Sequence, residues 1–193
     1  MNAETSTEII EATGRALCEH GYANLTMQRI ADESSLTTAA IHYHFDTKKD
    51  LLNAFLDHLI ERFERRLACD AGDPRERLAT FLDAIFTHTR EDDDFPVALM
   101  ELKSQAPYHD AYRERFVELD EMMREVVASA VREGIEAGYF DDADPEEVAR
   151  LVTTAINGGH ARSVALGEDP EETYRVVRSY LDVRLGWQPE VMA

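Results

Sequence analysis

The 193-residue chain has few cysteines and no long apolar run. Its two cysteines, Cys18 and Cys69, stand in neither a Cys-x-x-Cys nor a metal-ligand spacing, so we interpret both as small hydrophobic side chains. No stretch approaches the roughly 18–20 consecutive apolar residues that a membrane span needs, and the first residues include acids rather than an apolar segment. We therefore expect a soluble, cytoplasmic protein without a membrane partner.

The sequence also lacks the motifs that mark common catalytic sites. It contains no His-Glu-x-x-His, no glycine-rich phosphate loop and no nucleophile elbow, and no acid–base pair stands out. We predict that the protein is not an enzyme and that it carries neither a cofactor nor a bound metal.

Basic residues are scarce, and lysine most of all. The chain has 39 acidic and 20 basic residues, a formal net charge of −19, and its only lysines are Lys48, Lys49 and Lys103. Such a surface repels nucleic acid over most of its area. The acids are spread along the whole chain, and in 1 M salt their repulsion is screened over about 3 Å. We interpret the composition as that of an acidic halophilic protein from a salty cytoplasm.

Apolar residues recur at helical spacing along nearly the whole chain, and no period-two alternation indicates a strand. Residues typical of helix N-caps stand at five predicted starts, at Thr5, Thr47, Asp73, Asp144 and Asp169. Gly21 and Gly138 mark two helix ends. These patterns predict an all-α fold of about nine helices, of which the last two span roughly residues 145–166 and 170–185.

Two short helices are predicted between residues 21 and 50. Thr26 caps the first and Thr37 caps the second, with a tight connection between them, which is the arrangement of a helix-turn-helix. In the second helix Ile41 and Phe45 fall on the inward face, so the opposite face carries small residues followed by hydrogen-bonding rings. Such a face can enter the major groove of DNA, and an ordinary amphipathic helix with a solvated face has the same pattern.

Residues 25–52 read LTMQRIADESSLTTAAIHYHFDTKKDLL and resemble the N-terminal signature of TetR-family transcriptional regulators. The resemblance is close over residues 8–55. It implies a helix-turn-helix DNA-binding domain over 1–52 and a helical domain over 53–193 for ligand sensing and dimerisation. It further implies a repressor that binds a pseudo-palindromic operator in double-stranded DNA as a homodimer and is released by a small-molecule inducer. A TetR-fold adaptor controlled by a protein partner, without an inducer, is the alternative.

By this resemblance the residues that contact DNA are Thr26, Gln28, Thr37, Thr38, Ala39, Ala40, His42, Tyr43, His44 and Lys48. Lys48 opens the following helix and is expected to contact phosphate, with help from the helix dipole. His42 stands where the family commonly has a phosphate-contacting tyrosine, and its ring can also donate to phosphate. His42 and His44 are two residues apart and point about 200° away from each other on a helix, so we predict no metal site there.

The resemblance also implies an inducer pocket among the middle helices and a dimer interface on the last two. The candidate pocket residues are Phe86, His88, Met100, Tyr108, Tyr112, Phe116, Met122, Asn157 and His160. For each of the large residues, ordinary core packing is the alternative interpretation. For His88, Asn157 and His160, the alternative is a satisfied buried position or a surface position. In the penultimate helix, Gly158 and Gly159 indicate a close helix approach, either across a four-helix dimer interface or within one subunit.

Overall fold

The computed structural model describes residues 3–67, 72–86 and 95–187, and this part of the chain forms nine α-helices and no strand. The helices are α1 (Ala3–Asn24), α2 (Met27–Asp32), α3 (Thr38–His44), α4 (Lys48–Leu67), α5 (Pro74–Phe86), α6 (Phe95–Gln105), α7 (Asp110–Glu136), α8 (Pro145–Leu166) and α9 (Pro170–Leu185). The predicted all-α fold of about nine helices is confirmed. Cys18 is half-buried on α1, whereas Cys69 and His88 lie outside the described residues.

Aspartate side chains begin three of these helices, as the Asp-Pro pairs predict. Each accepts a hydrogen bond from the backbone N–H two residues on, at 2.8 Å for Asp73, 2.9 Å for Asp144 and 3.0 Å for Asp169. Gly167 and Gly186 end α8 and α9 in the left-handed conformation. The boundaries of the last two helices are therefore set by local chemistry at both ends.

The predicted capping box at Thr5 is wrong. Helix α1 begins at Ala3, so Thr5 lies within the helix and Glu8 is available to a distant partner. The Glu8 carboxylate accepts hydrogen bonds from the hydroxyl and the backbone N–H of Ser35, at 2.6 and 3.0 Å. These bonds hold the pKa of Glu8 below its usual value. They also tie α1 to the loop that precedes α3.

Gly21 interrupts α1 where the sequence predicts a helix end. Its φ of 71° and ψ of 163° are not helical, and a positive φ costs glycine little because it has no Cβ. One further turn runs to Asn24. At the start of that turn the backbone N–H of Tyr22 donates to the Glu101 carboxylate of α6 at 2.9 Å.

The helices group into two compact units. The first comprises residues 1–63 and 90–117, and the second comprises 64–89 and 118–193. In the first unit α1 packs against α2 and α6, and α2 packs against α3. In the second unit α9 packs against α5 and α8. The predicted division after residue 52 is a division by function, and it stays a prediction.

Each unit has its own apolar core. Fully buried residues of the first unit include Ile9, Leu17, Ile30, Ile41, Leu51 and Leu56. Those of the second include Leu78, Phe81, Val127, Val152, Leu181 and Leu185. Among the described helices none combines the length and apolarity that a membrane crossing requires.

Two glycines permit close packing within the second unit. A Cβ at Gly159 would overlap the Thr173 side chain of α9, and a Cβ at Gly134 would overlap the ring of Phe140. Gly158 differs, because no described atom lies within 4 Å of the place where its Cβ would stand. The close approach predicted for the glycine pair therefore occurs at Gly159 and within one chain.

Candidate nucleic-acid interface

Two threonine caps fix the geometry of α2 and α3. The Thr26 hydroxyl oxygen accepts a hydrogen bond from the Arg29 backbone N–H, and the Thr37 hydroxyl oxygen accepts one from that of Ala40, each at 3.2 Å. Both threonines have the extended backbone typical of N-caps. The caps predicted for the helix-turn-helix are confirmed.

The outward face of α3 is exposed, as the sequence predicts. Ile41 is fully buried and anchors the helix, whereas Phe45 is only half-buried at its end. Ala39 and His42 are exposed on the opposite face. Tyr43 is 86% exposed, and its ring lies edge-on to that of His44 with the centroids 5.5 Å apart.

A chain of hydrogen bonds joins α2 to the first residue of α3. The Gln28 side-chain amide donates from Nε2 to the Asp32 carboxylate at 2.8 Å. Its Oε1 accepts from the Thr38 hydroxyl at 3.0 Å. Sequence reasoning selected Gln28 and Thr38 but missed Asp32, although the spacing of four residues between Gln28 and Asp32 is a signal for such a pair on a helix.

Lys48 is held at the start of α4. Its ammonium donates to the Leu25 carbonyl at 3.0 Å and lies 5.0 Å from the centre of the Tyr22 ring. The predicted capping box at Thr47 is confirmed, because Thr47 and Asp50 exchange backbone-to-side-chain hydrogen bonds of 3.2 and 3.1 Å. An ammonium has three donors, so the bond to Leu25 leaves two for a ligand.

The Tyr22 side chain links this lysine to the turn between α6 and α7. Its hydroxyl is hydrogen-bonded to Nε2 of His109 at 3.0 Å, and the His109 ring lies 5.0 Å from that of Tyr112. Tyr112 is fully buried, and burial, reinforced by the neighbouring Tyr22, raises the pKa of its hydroxyl. The Tyr22 side chain lies near enough to the Tyr112 hydroxyl to raise its pKa. It does not form a hydrogen bond of normal geometry with that hydroxyl, and no other described residue does. Sequence reasoning missed Tyr22 and His109.

Two family models match the chain, and together they cover most of its length. Residues 9–55 match the family described as bacterial regulatory proteins of the tetR family, and residues 74–186 match the C-terminal domain of BetI-type transcriptional repressors. The chain belongs to the TetR family of transcriptional regulators. Members of this family are regulators rather than enzymes, which confirms the predicted class.

Solved structures of TetR-type regulators share the whole fold. A TetR transcription regulator from Haloarcula marismortui is 44% identical, with a TM-score of 0.88 over 95% of this chain and 99% of that one. A putative regulator from Saccharomonospora viridis, solved in complex with choline, is 22% identical, with a TM-score of 0.86 over 95% of this chain and 98% of that one. The regulator TtgR of Pseudomonas putida is 43% identical over 58 residues, which cover 30% of this chain and only 28% of TtgR.

The predicted inducer-binding residues of this TetR-family chain are divided between the two compact units. Met100, Tyr108, Tyr112 and Phe116 belong to the first unit. Met100 is half-buried and Phe116 is buried, with the Lys103 ammonium 5.7 Å from its ring centre. Tyr108 is 80% exposed because it lies in the turn before α7, so it lines no interior of this unit.

The other four candidates belong to the second unit. They are Phe86, Met122, Asn157 and His160, and all are half-buried. The Phe86 ring contacts the Tyr174 ring with the centroids 5.5 Å apart, and the Asn157 amide donates to the Thr153 carbonyl at 3.0 Å. Neither unit brings all eight described candidates together, and their role in ligand binding stays a prediction.

One group of side chains in the described part of the chain has the spacing of metal ligands. Ligand atoms of Glu19, His20 and Glu33 lie within 4.8 Å of one another near the ends of α1 and α2. Arg15 also binds Glu33, at its backbone carbonyl (2.7 Å) and at its carboxylate (3.8 Å). An arginine neutralises the same carboxylate that an ion would need, and we interpret the group as an ion-paired surface.

Proposed function

We propose that this TetR-family regulator is a repressor that binds a pseudo-palindromic operator as a homodimer and is released by a small molecule. The observation that carries the DNA-binding part is the exposed face of α3. Helix α3 and its neighbour α2 each have a threonine N-cap that fixes where the helix begins. Because chromosomal DNA is the proposed target, we propose a cytoplasmic site of action. Two recognition helices in a dimer would reach half-sites about 34–36 Å apart, or a multiple of that spacing.

Contacts to phosphate are proposed for the residues that retain a donor. The Thr26 and Thr37 hydroxyls accept bonds as caps, so the hydrogen of each is free to donate outward. Lys48 has two donors left after its bond to Leu25. Ala39, Ala40 and Tyr43 are proposed to face the bases. The two alanines are small enough to allow close approach to the groove, and the exposed Tyr43 ring carries a hydroxyl that can hydrogen-bond to a base edge.

The proposed dimer forms through α8 and α9. Four large apolar side chains on these helices are exposed, with Leu151 at 41%, Leu166 at 67%, Val176 at 67% and Val183 at 84%. Gly158, also on α8, has no described atom within 4 Å of the place where a Cβ would stand, so a second chain could approach the helix there. Exposed apolar residues on two adjacent helices support a four-helix interface with a second copy of the chain. In that interface the exposed apolar side chains of both copies would lose contact with water.

Release by a ligand is proposed to act through the contact between α1 and the turn before α7. Lys48, Tyr22 and His109 form a continuous path from the DNA-facing end of α4 to that turn. A ligand that displaces the turn before α7 would break the hydrogen bond between His109 and Tyr22. The Tyr22 ring could then move, and the Lys48 ammonium that lies against it would shift. The fold alone does not identify the ligand, since proteins of this fold have been solved in complex with choline and with stearoyl-CoA.

A matched pair of tyrosines tests the proposed DNA interface. Tyr43 and Tyr108 are both largely exposed, but only Tyr43 lies on α3. We expect the protein to enrich a two-fold symmetric sequence from a random duplex pool in molar KCl. Tyr43→Ala should weaken binding to that sequence at least about tenfold, as loss of a base contact does, while Tyr108→Ala should leave it unchanged. Absence of any enriched sequence would overturn the proposal.

Ligand release is tested with probes of contrasting chemistry. The repressor–duplex complex is titrated with choline, with its uncharged carbon analogue 3,3-dimethylbutan-1-ol, and with stearoyl-CoA. Release by choline alone would indicate recognition of a quaternary ammonium, for which aromatic side chains are suited. A failure of release across a broad metabolite screen, together with release by a captured protein, would contradict a small-molecule inducer.

A further inference from the structure

We propose that Asp32 sets the base preference of α3, because it leaves the Thr38 hydroxyl able only to accept a hydrogen bond from a base. The proposal rests on the DNA-binding function proposed above. Asp32 is exposed and lies at the end of α2, outside the helix proposed to enter the groove. It acts through Gln28 and is therefore a positioning residue.

Asp32 fixes the orientation of the Gln28 amide. A carboxylate can only accept hydrogen bonds, so the group that faces Asp32 at 2.8 Å must be the amide nitrogen. The amide oxygen must then point the other way. That oxygen lies 3.0 Å from the Thr38 hydroxyl and can only accept from it.

This orientation of Gln28 limits the hydrogen bonds that the Thr38 hydroxyl can still make. A hydroxyl has one hydrogen and two lone pairs, and the hydrogen of Thr38 is engaged by Gln28. Toward the groove Thr38 therefore presents lone pairs alone. This distinguishes it from the neighbouring cap Thr37, which accepts a bond from Ala40 and keeps its hydrogen.

The base edges in the major groove differ in whether they donate or accept hydrogen bonds. Only two groups there donate hydrogen bonds, the exocyclic amines of adenine N6 and cytosine N4, whereas guanine N7 and O6 and thymine O4 accept. A Thr38 that can only accept selects an adenine or a cytosine on the strand it contacts. Without Asp32 the Gln28 amide can turn over, the Thr38 hydrogen becomes available, and guanine and thymine are admitted at the same position.

The test is a selection from a random duplex pool in molar KCl, carried out with the full-length protein and four variants. Thr38→Val removes the hydroxyl at nearly constant shape, and Thr38→Ser restores it. Asp32→Asn removes the charge and allows the Gln28 amide either orientation. Asp46→Asn is the matched control, because it makes the same charge change at an exposed residue beyond the other end of α3.

We expect one symmetric pair of positions to show adenine or cytosine with the unmodified protein, with Thr38→Ser and with Asp46→Asn. Thr38→Val should lose the preference there, and Asp32→Asn should extend it to guanine and thymine. A duplex whose base at that position lacks the exocyclic amine should bind the unmodified protein about three- to tenfold more weakly, the effect of one hydrogen bond. Thr38→Val should show no such loss.

The outcomes separate this proposal from the function it rests on. If the unmodified protein enriches no sequence, the DNA-binding function fails and the proposal fails with it. If it enriches a sequence but Asp32→Asn keeps the preference of the unmodified protein, or if the position affected by Thr38→Val selects guanine or thymine, the role of Asp32 is wrong and DNA binding stands.

Discussion

Adjacent valines on α9 provide a sharp test of the proposed dimer interface. Val176 is 67% exposed in the single chain, and Val177 is 1% exposed in the core of the second unit. The same substitution by alanine should therefore affect two different equilibria. Val176→Ala should weaken dimerisation and leave the fold of each subunit intact, whereas Val177→Ala should lower the stability of the fold.

The magnitudes follow from burial. Two side-chain carbons are worth about 1.6 kcal/mol when fully buried, and about two thirds of that is available at Val176 in the single chain. Two-fold symmetry doubles the loss to about 2 kcal/mol, which raises the dimer dissociation constant about 30-fold. For Val177, transfer and cavity terms of about 2 kcal/mol lower the melting temperature by about 4–8 °C in a chain of this length.

Both quantities can be measured in molar KCl. Sedimentation velocity over a concentration series gives the dissociation constant of the dimer. Thermal unfolding at concentrations far above that constant gives the melting temperature, because dimerisation otherwise contributes to apparent stability. An unchanged dissociation constant for Val176→Ala, or equal effects of the two substitutions on both measurements, would refute the assignment of this α9 face to the interface.

Three further predictions concern DNA contact, pH and salt. Lys48→Ala should weaken binding to all sequences alike, and for a dimer it should reduce the slope of log K against log salt concentration by about two. Lys103→Ala on α6 should change neither the affinity nor the slope. Gel shifts at several KCl concentrations measure both quantities. Burial raises the pKa of Tyr112, so the stability it contributes is complete below pH about 10 and is lost as pH rises further; Tyr112→Phe should remove this alkaline loss, and the exposed Tyr108→Phe should not. The net charge of −19 predicts that the unfolding midpoint rises from dilute buffer to molar KCl, and equal stability in both would contradict a salt-adapted protein.

Helix boundaries were predictable where the chemistry is local. The side chains of Asp144 and Asp169 bond to backbone groups two residues away, and Thr26 and Thr37 bond to groups three residues away. Such bonds depend on little beyond the residues themselves. The exception is Glu8, whose spacing from Thr5 fits a capping box.

The contacts that organise the candidate interface were not predictable because they join residues far apart in sequence. Glu8 binds Ser35 across 27 residues, and Tyr22 binds His109 across 87. Periodicity assigns a residue to a face of its own helix but does not say which other helix covers that face. Tyr108 illustrates the limit, because its size suggests a buried role while its position in a turn leaves it exposed.

The acidic composition bears on how such a protein could read DNA. In molar salt, contacts to phosphate lose much of their value because each counterion released into a concentrated salt solution gains less entropy. Specific binding must then rest more on base edges, where the polarity of a single hydroxyl such as that of Thr38 decides which base is accepted. The same salt screens charge within about 3 Å, so Asp32 can stand beside the DNA-facing helix with less repulsion from phosphate. Under these conditions, an acid near the proposed interface can serve selectivity without preventing binding.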